Sequence, residues 1–116
     1  MKIDLTEGKF KSETTFKLDL VKDTGLFGTN AGVFFTSGSF VFDDGAFVFT
    51  RITKDGKDDI KGVIGTHTVC ADGNGIKLIF DADGKEELLA LDPGAGTLIQ
   101  TVPTPVGDGK LYYTAD

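Results

Sequence analysis

The stretch Phe40-Val-Phe-Asp-Asp-Gly-Ala-Phe-Val-Phe49 decides the fold, because it contains two short strands around one tight turn. Asp44-Gly45 supplies the positive φ angles that a two-residue hairpin turn needs, and the flanking Phe and Val alternate with the period of two of a β-strand. Such a turn gives three cross-strand pairs: Phe42 with Phe47, Val41 with Val48, and Phe40 with Phe49. This register puts four Phe rings on one face, and a slip of one residue would separate them. The stretch therefore predicts a hairpin at the centre of the core.

The rest of the chain repeats this alternation of short apolar runs and turns. Four further Asp-Gly pairs occupy residues 55–56, 72–73, 83–84 and 108–109. The predicted strands are residues 9–22, the two arms of the hairpin within 34–53, and residues 60–69, 76–81, 85–91, 97–102 and 110–114. About eight strands and no convincing helix predict one all-β domain over residues 1–116. Its architecture is a small antiparallel β-sandwich or β-barrel joined by Asp-Gly hairpin turns, and the alternation is the same in both.

Turn and proline chemistry predict two local features of the sheet. Residues 82–84 favour a three-residue loop with Gly84 in the left-handed region, which places Asp81 opposite Lys85. Pro103 and Pro105 have no N–H to donate to a ladder. Residues 101–106 are therefore expected at a sheet edge or outside the sheet.

Composition and charge exclude several classes of protein. The 116 residues carry 12 Lys plus Arg and 18 Asp plus Glu, a net charge of −6, and the Lys residues are interspersed with acids. Direct nucleic-acid binding is not expected, because such proteins concentrate positive charge where they meet phosphates. Cys70 is the only cysteine, and neither a signal peptide nor an apolar run of about 20 residues is evident. We therefore expect cytoplasmic synthesis, no membrane contact, and the virion as one destination.

The residue clusters that resemble catalytic or metal sites have simpler explanations in turn and strand chemistry. His67 and Cys70 are three residues apart on one predicted strand, so they point to opposite faces and do not form a nucleophile–base pair. Residues 81–87 lack the residues that a calcium loop needs at its fifth and sixth positions, and the other acid clusters, at residues 55–59 and 72–74, suit turns. The Gly-rich segments 25–28 and 94–96 do not complete a phosphate-binding loop. The sequence therefore predicts no catalytic, cofactor-binding or metal-binding residues.

The leading functional hypothesis is a non-enzymatic assembly protein, such as a capsid-decorating or neck component of a virion. It rests on an acidic, Gly- and Phe-rich, all-β composition without an evident site. The expected partners are further copies of the chain or other proteins, contacted by strand addition at residues 2–6 or 101–106 and by partly exposed apolar side chains. The predicted interface residues are Phe27, Phe34, Phe35, Pro103 and Pro105.

Two alternatives belong to other functional classes. An eight-stranded barrel is just wide enough to hold one small apolar molecule, either as a binding protein or as an enzyme of the cyclase or isomerase kind. The residues predicted to line that cavity and its mouth are Phe40, Phe42, Phe47, Phe49, Arg51 and Tyr112. The third hypothesis, an acidic inhibitor that mimics nucleic acid, needs one continuous acidic face, and the interspersed Lys residues argue against it.

Overall fold

The computed structural model describes residues 13–25, 28–54, 60–70, 73–92 and 94–115, and residues 5–6 and 9–10 by their backbone. The strands are β1 (Leu5–Thr6), β2 (Lys9–Phe10), β3 (Thr14–Leu18), β4 (Phe35–Asp43), β5 (Ala46–Thr53), β6 (Ile60–Val69), β7 (Gly75–Phe80), β8 (Glu86–Asp92), β9 (Thr97–Thr104) and β10 (Gly107–Ala115). A 3₁₀ turn at Ala31–Val33 precedes β4, and the described residues contain no α-helix.

Strands β3 to β10 form a closed antiparallel barrel in which each strand pairs with its neighbours along the chain. The barrel closes where β10 pairs with β3, and Tyr113 lies opposite Leu18. The expected all-β fold is therefore confirmed, and the closure selects a barrel over a sandwich. Strands β1 and β2 pair with each other, and β2 lies against β4 and β6.

The alternating strand directions give the barrel two distinct ends. At the upper end β3, β5, β7 and β9 finish, and β4, β6, β8 and β10 begin. The lower end holds the Asp44-Gly45 turn and the connections from β6 to β7 and from β8 to β9. Successive side chains of each strand point alternately into the barrel and away from it.

The β4–β5 hairpin has the register that the sequence predicts. Its central pairs are Phe42 with Phe47, Val41 with Val48, and Phe40 with Phe49. Asp44 and Gly45 have φ angles of 47° and 83°, the two positive values of a type I′ turn. The rings of Phe40 and Phe49 stack with centroids 4.2 Å apart. All four Phe of the hairpin are at most 4% exposed, so they form the centre of the core.

Gly65 of β6 lets two aromatic rings meet inside the barrel. It lies opposite Phe47 on one side and Phe80 on the other, and the two rings contact edge to face at 5.3 Å. A Cβ at Gly65 would lie 2.6 Å from Phe47 Cε1 and would collide with the carbonyl oxygen of Ile79. This position therefore requires glycine for space rather than for backbone conformation.

The predicted three-residue loop before β8 is wrong by one residue. Ile76 lies opposite Leu89, and the same register makes Phe80 N–H donate to the carbonyl of Lys85 at 2.9 Å. The loop therefore has four residues, 81–84, although Gly84 has the expected positive φ, 70°. Burial explains the difference, because pairing Asp81 with Lys85 would place inward-facing Ile76 opposite outward-facing Ala90.

The last predicted Asp-Gly turn is also wrong. Asp108 and Gly109 lie inside β10, and the turn is formed by Pro105 and Val106, since Thr104 lies opposite Gly107. Proline presets the φ angle for the first central position of a turn, which explains this choice. Pro103 lies within β9, but beyond Ile99, where the β8–β9 pairing ends.

The long first strand predicted over residues 9–22 is interrupted. The described part consists of β2 and the five-residue β3, which ends at Leu18. Beyond Leu18, the N–H of Asp19 donates to the carbonyl of Tyr112 at 2.8 Å, and the carboxylate of Asp19 accepts from Val21 N–H at 3.1 Å. An Asp side chain that bonds the backbone two residues on favours a turn over continued alternation.

Candidate functional site

Four polar side chains of the described residues point into the barrel among apolar neighbours. They are Arg51 of β5, Glu87 of β8, Gln100 of β9 and Tyr113 of β10, and we call them the polar cluster. Each lies two residues from a buried apolar side chain on its own strand and therefore shares its inward direction. Those buried neighbours are Phe49, Leu89, Leu98 and Leu111.

Hydrogen bonds join the polar cluster through the amide of Gln100. Its Oε1 accepts from Arg51 Nη1 at 2.9 Å and from the Tyr113 hydroxyl at 2.7 Å. Its Nε2 donates to Glu87 Oε2 at 2.9 Å. Only this orientation of the amide satisfies both neighbours, because a guanidinium has donors only and a carboxylate has acceptors only. Gln100 therefore connects Arg51 and Glu87 through hydrogen bonds and lies between the two charged groups.

The guanidinium of Arg51 lies over two aromatic rings. Its Cζ is 4.9 Å from the ring centroid of Phe35 and 5.3 Å from that of Phe49, within the range of cation–π attraction. Among the described residues, no carboxylate pairs with it directly. Its side-chain hydrogen bond goes to Gln100 Oε1. Since a guanidinium carries five N–H donors, Arg51 has donors left for a further acceptor.

Burial raises the pKa of the Tyr113 hydroxyl from 10.0 to about 12. Removal from water opposes the phenolate most strongly, whereas the nearby positive charge of Arg51 favours it, and the charge of Glu87 opposes it further. The hydroxyl therefore keeps its proton at neutral pH and donates it to Gln100.

Apolar side chains surround the polar cluster at the upper end of the barrel. Ile60 lies directly opposite Arg51, and Phe35 contacts its guanidinium. Phe80 and Val102 lie toward the upper ends of β7 and β9. These four residues, which we call the apolar rim, are half-buried and pack against the core. Apolar walls around a few oriented polar groups are the usual composition of a small-molecule site.

His67, toward the lower end of the barrel, is packed into the core. It is 4% exposed, its Nδ1 lies 2.7 Å from the carbonyl oxygen of Ala46, and its ring centroid is 4.9 Å from that of Phe42. Cys70 is half-buried just beyond the end of β6. The His67 ring therefore lies against a backbone carbonyl and an aromatic ring.

The structure gathers most of the predicted cavity residues but not Tyr112. The side chains of Phe40, Phe42, Phe47 and Phe49 are buried in the interior, and Arg51 lies beside Phe49. Tyr112 lies on the outer face, where the ammonium of Lys22 is 5.2 Å from its ring centroid. Its place inside is taken by Tyr113, because Leu111 and Tyr113 are the buried residues of the β10 alternation. Since the rings of Phe40, Phe42 and Phe49 contact one another and that of Phe47 contacts Phe80, the accessible part of this set is its upper end, at Arg51.

Three members of the polar cluster were not predicted from the sequence. Gln100 and Glu87 carried a usable signal, since each is a polar residue two positions from a Leu in a predicted strand. Tyr113 required the phase of β10, which the misplaced turn at Asp108-Gly109 left undetermined. No sequence pattern indicated that side chains from four strands meet at the Gln100 amide.

The residues predicted to form an interface lie at different places. Phe34 is 43% exposed beside Phe35, with ring centroids 6.5 Å apart, whereas Phe35 belongs to the apolar rim. Pro103 and Pro105 are exposed on the β9–β10 hairpin. Phe27 lies outside the described residues.

A separate cleft of about 290 Å³ opens in the barrel wall between β3 and β4. The pairing of these strands stops at Lys17 and Ser39. The cleft is lined by Lys17, Leu18, Leu20, Thr36, Ser37, Gly38, Ser39 and Thr50. None of the polar cluster lines it.

The described residues contain no group of three or more His, Cys, Asp or Glu placed to hold a metal ion. The acids at residues 55–59 and 72 lie outside the described residues. No helix in the described part of the chain is long and apolar enough to cross a membrane. Searches of family models, curated proteins and solved structures found no match to this chain.

Proposed function

We propose that the protein binds a small apolar molecule at the upper end of its barrel, with a polar atom of that molecule against the polar cluster. The observation that carries the proposal is Arg51, a charged side chain that enters an apolar barrel, lies over Phe35 and Phe49, and keeps unused N–H donors. A charge in such surroundings is costly unless it has partners. A bound acceptor would supply one.

The composition of the upper end supports this proposal. The apolar rim offers hydrocarbon contact, and fully burying an apolar side chain or its equivalent contributes about 1.5–3 kcal/mol. The Tyr113 hydroxyl donates to Gln100 and one Gln100 N–H donates to Glu87, so most of the donors left for a ligand belong to Arg51. The expected ligand is therefore apolar over most of its surface and carries a hydrogen-bond acceptor.

A neutral apolar dye, Nile red, tests the proposal through its fluorescence on titration. We expect saturable binding of one dye per chain. Ile60→Ser, in the apolar rim, should weaken the binding about fivefold, since it removes on the order of 1 kcal/mol of contact. Ile64→Ser is the matched control, because Ile64 lies on the same strand, faces outward and is 54% exposed. Absence of saturable binding, or equal weakening by both variants, would contradict the proposal.

Assembly into a larger structure, including a virion, is the second candidate, and an exposed apolar row favours it. Val41, Val48 and Ile64 lie opposite one another on the outer face of three adjacent strands. Val48 is 40% and Ile64 54% exposed. Branched apolar side chains in a row on a water-facing sheet favour contact with another surface.

Light scattering over a concentration series tests this second candidate with the same two variants. Self-association that Ile64→Ser abolishes and Ile60→Ser leaves intact would support assembly through the outer row. A mass of 12.3 kDa at every concentration would contradict self-assembly.

A further inference from the structure

We infer that the acceptor group of the ligand is a carboxylate, which pairs with the guanidinium of Arg51. This inference rests on the proposed function and adds the chemical class of the ligand. It follows from three features of the polar cluster: the unpaired charge of Arg51, the fixed amide of Gln100, and the apolar surroundings.

The charge of Arg51 has no direct counterion among the described residues. Glu87 is the acid of the cluster, and it reaches Arg51 only through the Gln100 amide, by two successive hydrogen bonds of 2.9 Å. A neutral acceptor such as a hydroxyl or a carbonyl would use one donor of the guanidinium. A carboxylate would take two parallel N–H bonds and neutralise the charge, the geometry for which a guanidinium is suited.

The groups around Arg51 prevent the polar cluster from rearranging to supply Arg51 with a further acceptor. Gln100 is 4% exposed, and its two amide atoms are committed to Arg51, Tyr113 and Glu87, so it cannot turn without breaking several bonds. Phe35 and Phe49 lie beside the guanidinium and offer no acceptor atoms. Arg51 is half-buried, so its remaining donors are accessible beside these rings, where partial removal from water makes a charge-assisted pair stronger than in bulk solvent.

Three probes of equal chain length test the inference: decanoate, decan-1-ol and decylamine, each titrated by calorimetry at neutral pH, the two ionic probes below their micelle concentrations and decan-1-ol below its solubility limit. We expect decanoate to bind at least about tenfold more tightly than decan-1-ol, and decylamine more weakly than either. Arg51→Met should bring the affinities of decanoate and decan-1-ol to within about twofold of each other. Lys54→Met is the matched control, because it removes one positive charge from an exposed residue just beyond β5 and should leave the ratio unchanged.

A spectroscopic measurement on the unmodified chain keeps the test decisive if Arg51→Met fails to fold. Arg51 is the only arginine in the sequence, so the arginine side-chain Nε–H region of a nitrogen–proton NMR spectrum reports on this residue alone. Decanoate should shift that signal in a saturable way, and decan-1-ol should shift it much less.

The outcomes separate the inference from the proposed function. Equal affinities for decanoate and decan-1-ol, with no decanoate-specific shift of the Arg51 signal, would overturn the carboxylate and leave the ligand-binding function standing. Failure of all three probes and of Nile red to bind would overturn both. Tight decanoate binding that persists in Arg51→Met would place the carboxylate elsewhere and overturn the inference.

Discussion

The hydroxyl of Tyr113 connects the packing of the core to the chemistry of the polar cluster. The residue is fully buried, and its O–H donates to Gln100 at 2.7 Å. Its ring contacts Phe40 edge to face at 4.9 Å. One side chain therefore serves both the aromatic core and the hydrogen-bond network.

We expect Tyr113→Phe to lower the free energy of unfolding by about 1–2 kcal/mol, measured by urea denaturation. The ring contacts remain, but Gln100 Oε1 loses a buried hydrogen-bond donor. Tyr112→Phe is the control, because Tyr112 lies on the outer face and should change stability by less than about 0.5 kcal/mol. Equal effects of the two variants would contradict the placement of Tyr113 inside the barrel.

The raised pKa of Tyr113 predicts that stability falls at high pH. Below pH 10.0 the phenol is neutral in both states; between pH 10.0 and about 12 the unfolded chain loses the proton while the native state retains it. The unfolded state then binds fewer protons, so the free energy of unfolding decreases as pH rises, by up to about 1.4 kcal/mol per pH unit.

Comparison of the wild-type chain with Tyr113→Phe isolates the contribution of Tyr113 to the pH dependence of stability from that of the lysines, which titrate in the same pH range. The stability difference between the wild-type chain and the variant should be constant up to about pH 9 and shrink above about pH 10. A difference that stays constant up to about pH 11 would show that the native pKa of Tyr113 is not raised.

At the scale of elements, the β4–β5 hairpin depends on its turn. Gly45 has a φ of 83°, and a left-handed conformation costs a residue with a Cβ about 1–2 kcal/mol. We expect Gly45→Ala to lower the free energy of unfolding by about that amount. Gly94→Ala is the control, since its Cβ would meet only Asp92 Oδ1, at an ordinary 3.6 Å, and its φ is not positive. A similar loss in both variants would contradict the type I′ turn.

Gly65 presents a different element-scale constraint, because space rather than conformation requires it. We expect Gly65→Ala to destabilise the protein by about 1–3 kcal/mol or more, through displacement of Phe47 or of the β7 backbone. The near-ultraviolet circular dichroism should change as well, since Phe47 and Phe80 form an edge-to-face pair across this glycine. An unchanged aromatic signal in a folded Gly65→Ala variant would contradict the close approach.

At the scale of the whole molecule, the seams of the barrel, meaning the ladders between adjacent strands, have unequal strength. The β4–β5 ladder contains eight paired positions, whereas the β8–β9 and β10–β3 ladders contain three each. Amides that donate across the two short seams should exchange with solvent at least about tenfold faster than those of the β4–β5 hairpin. Hydrogen exchange followed by mass spectrometry measures this, and uniform exchange around the barrel would contradict it.

The weak β8–β9 seam lies beside the polar cluster. The hydrogen bond from Gln100 to Glu87 spans β9 and β8 just past the last backbone pair, Ala90 with Ile99. A side-chain bond thus joins the two strands where the ladder has stopped. This places the candidate site at a part of the wall that the backbone alone holds least firmly.

The sequence by itself determined the elements that depend on neighbours along the chain. The Asp44-Gly45 turn and the period-two alternation of Phe and Val set the hairpin register, because backbone conformation and strand faces are local properties. The sequence did not determine the loop before β8 or the turn at Pro105, since several local turns were compatible with each segment. For the loop before β8, the burial of Ile76 opposite Leu89 decided between the registers. A local preference for a turn or register is overridden where it conflicts with the burial of core residues.

Only the tertiary structure decided that the sheet closes and that the polar cluster exists. Arg51, Glu87, Gln100 and Tyr113 are far apart in the chain, and each follows the inward phase of its own strand. Their meeting depends on strand order and on the stagger between strands, which alternation does not encode. The alternation indicated the inward direction of Arg51, Glu87 and Gln100 but not that of Tyr113; the closed barrel specified that all four side chains meet.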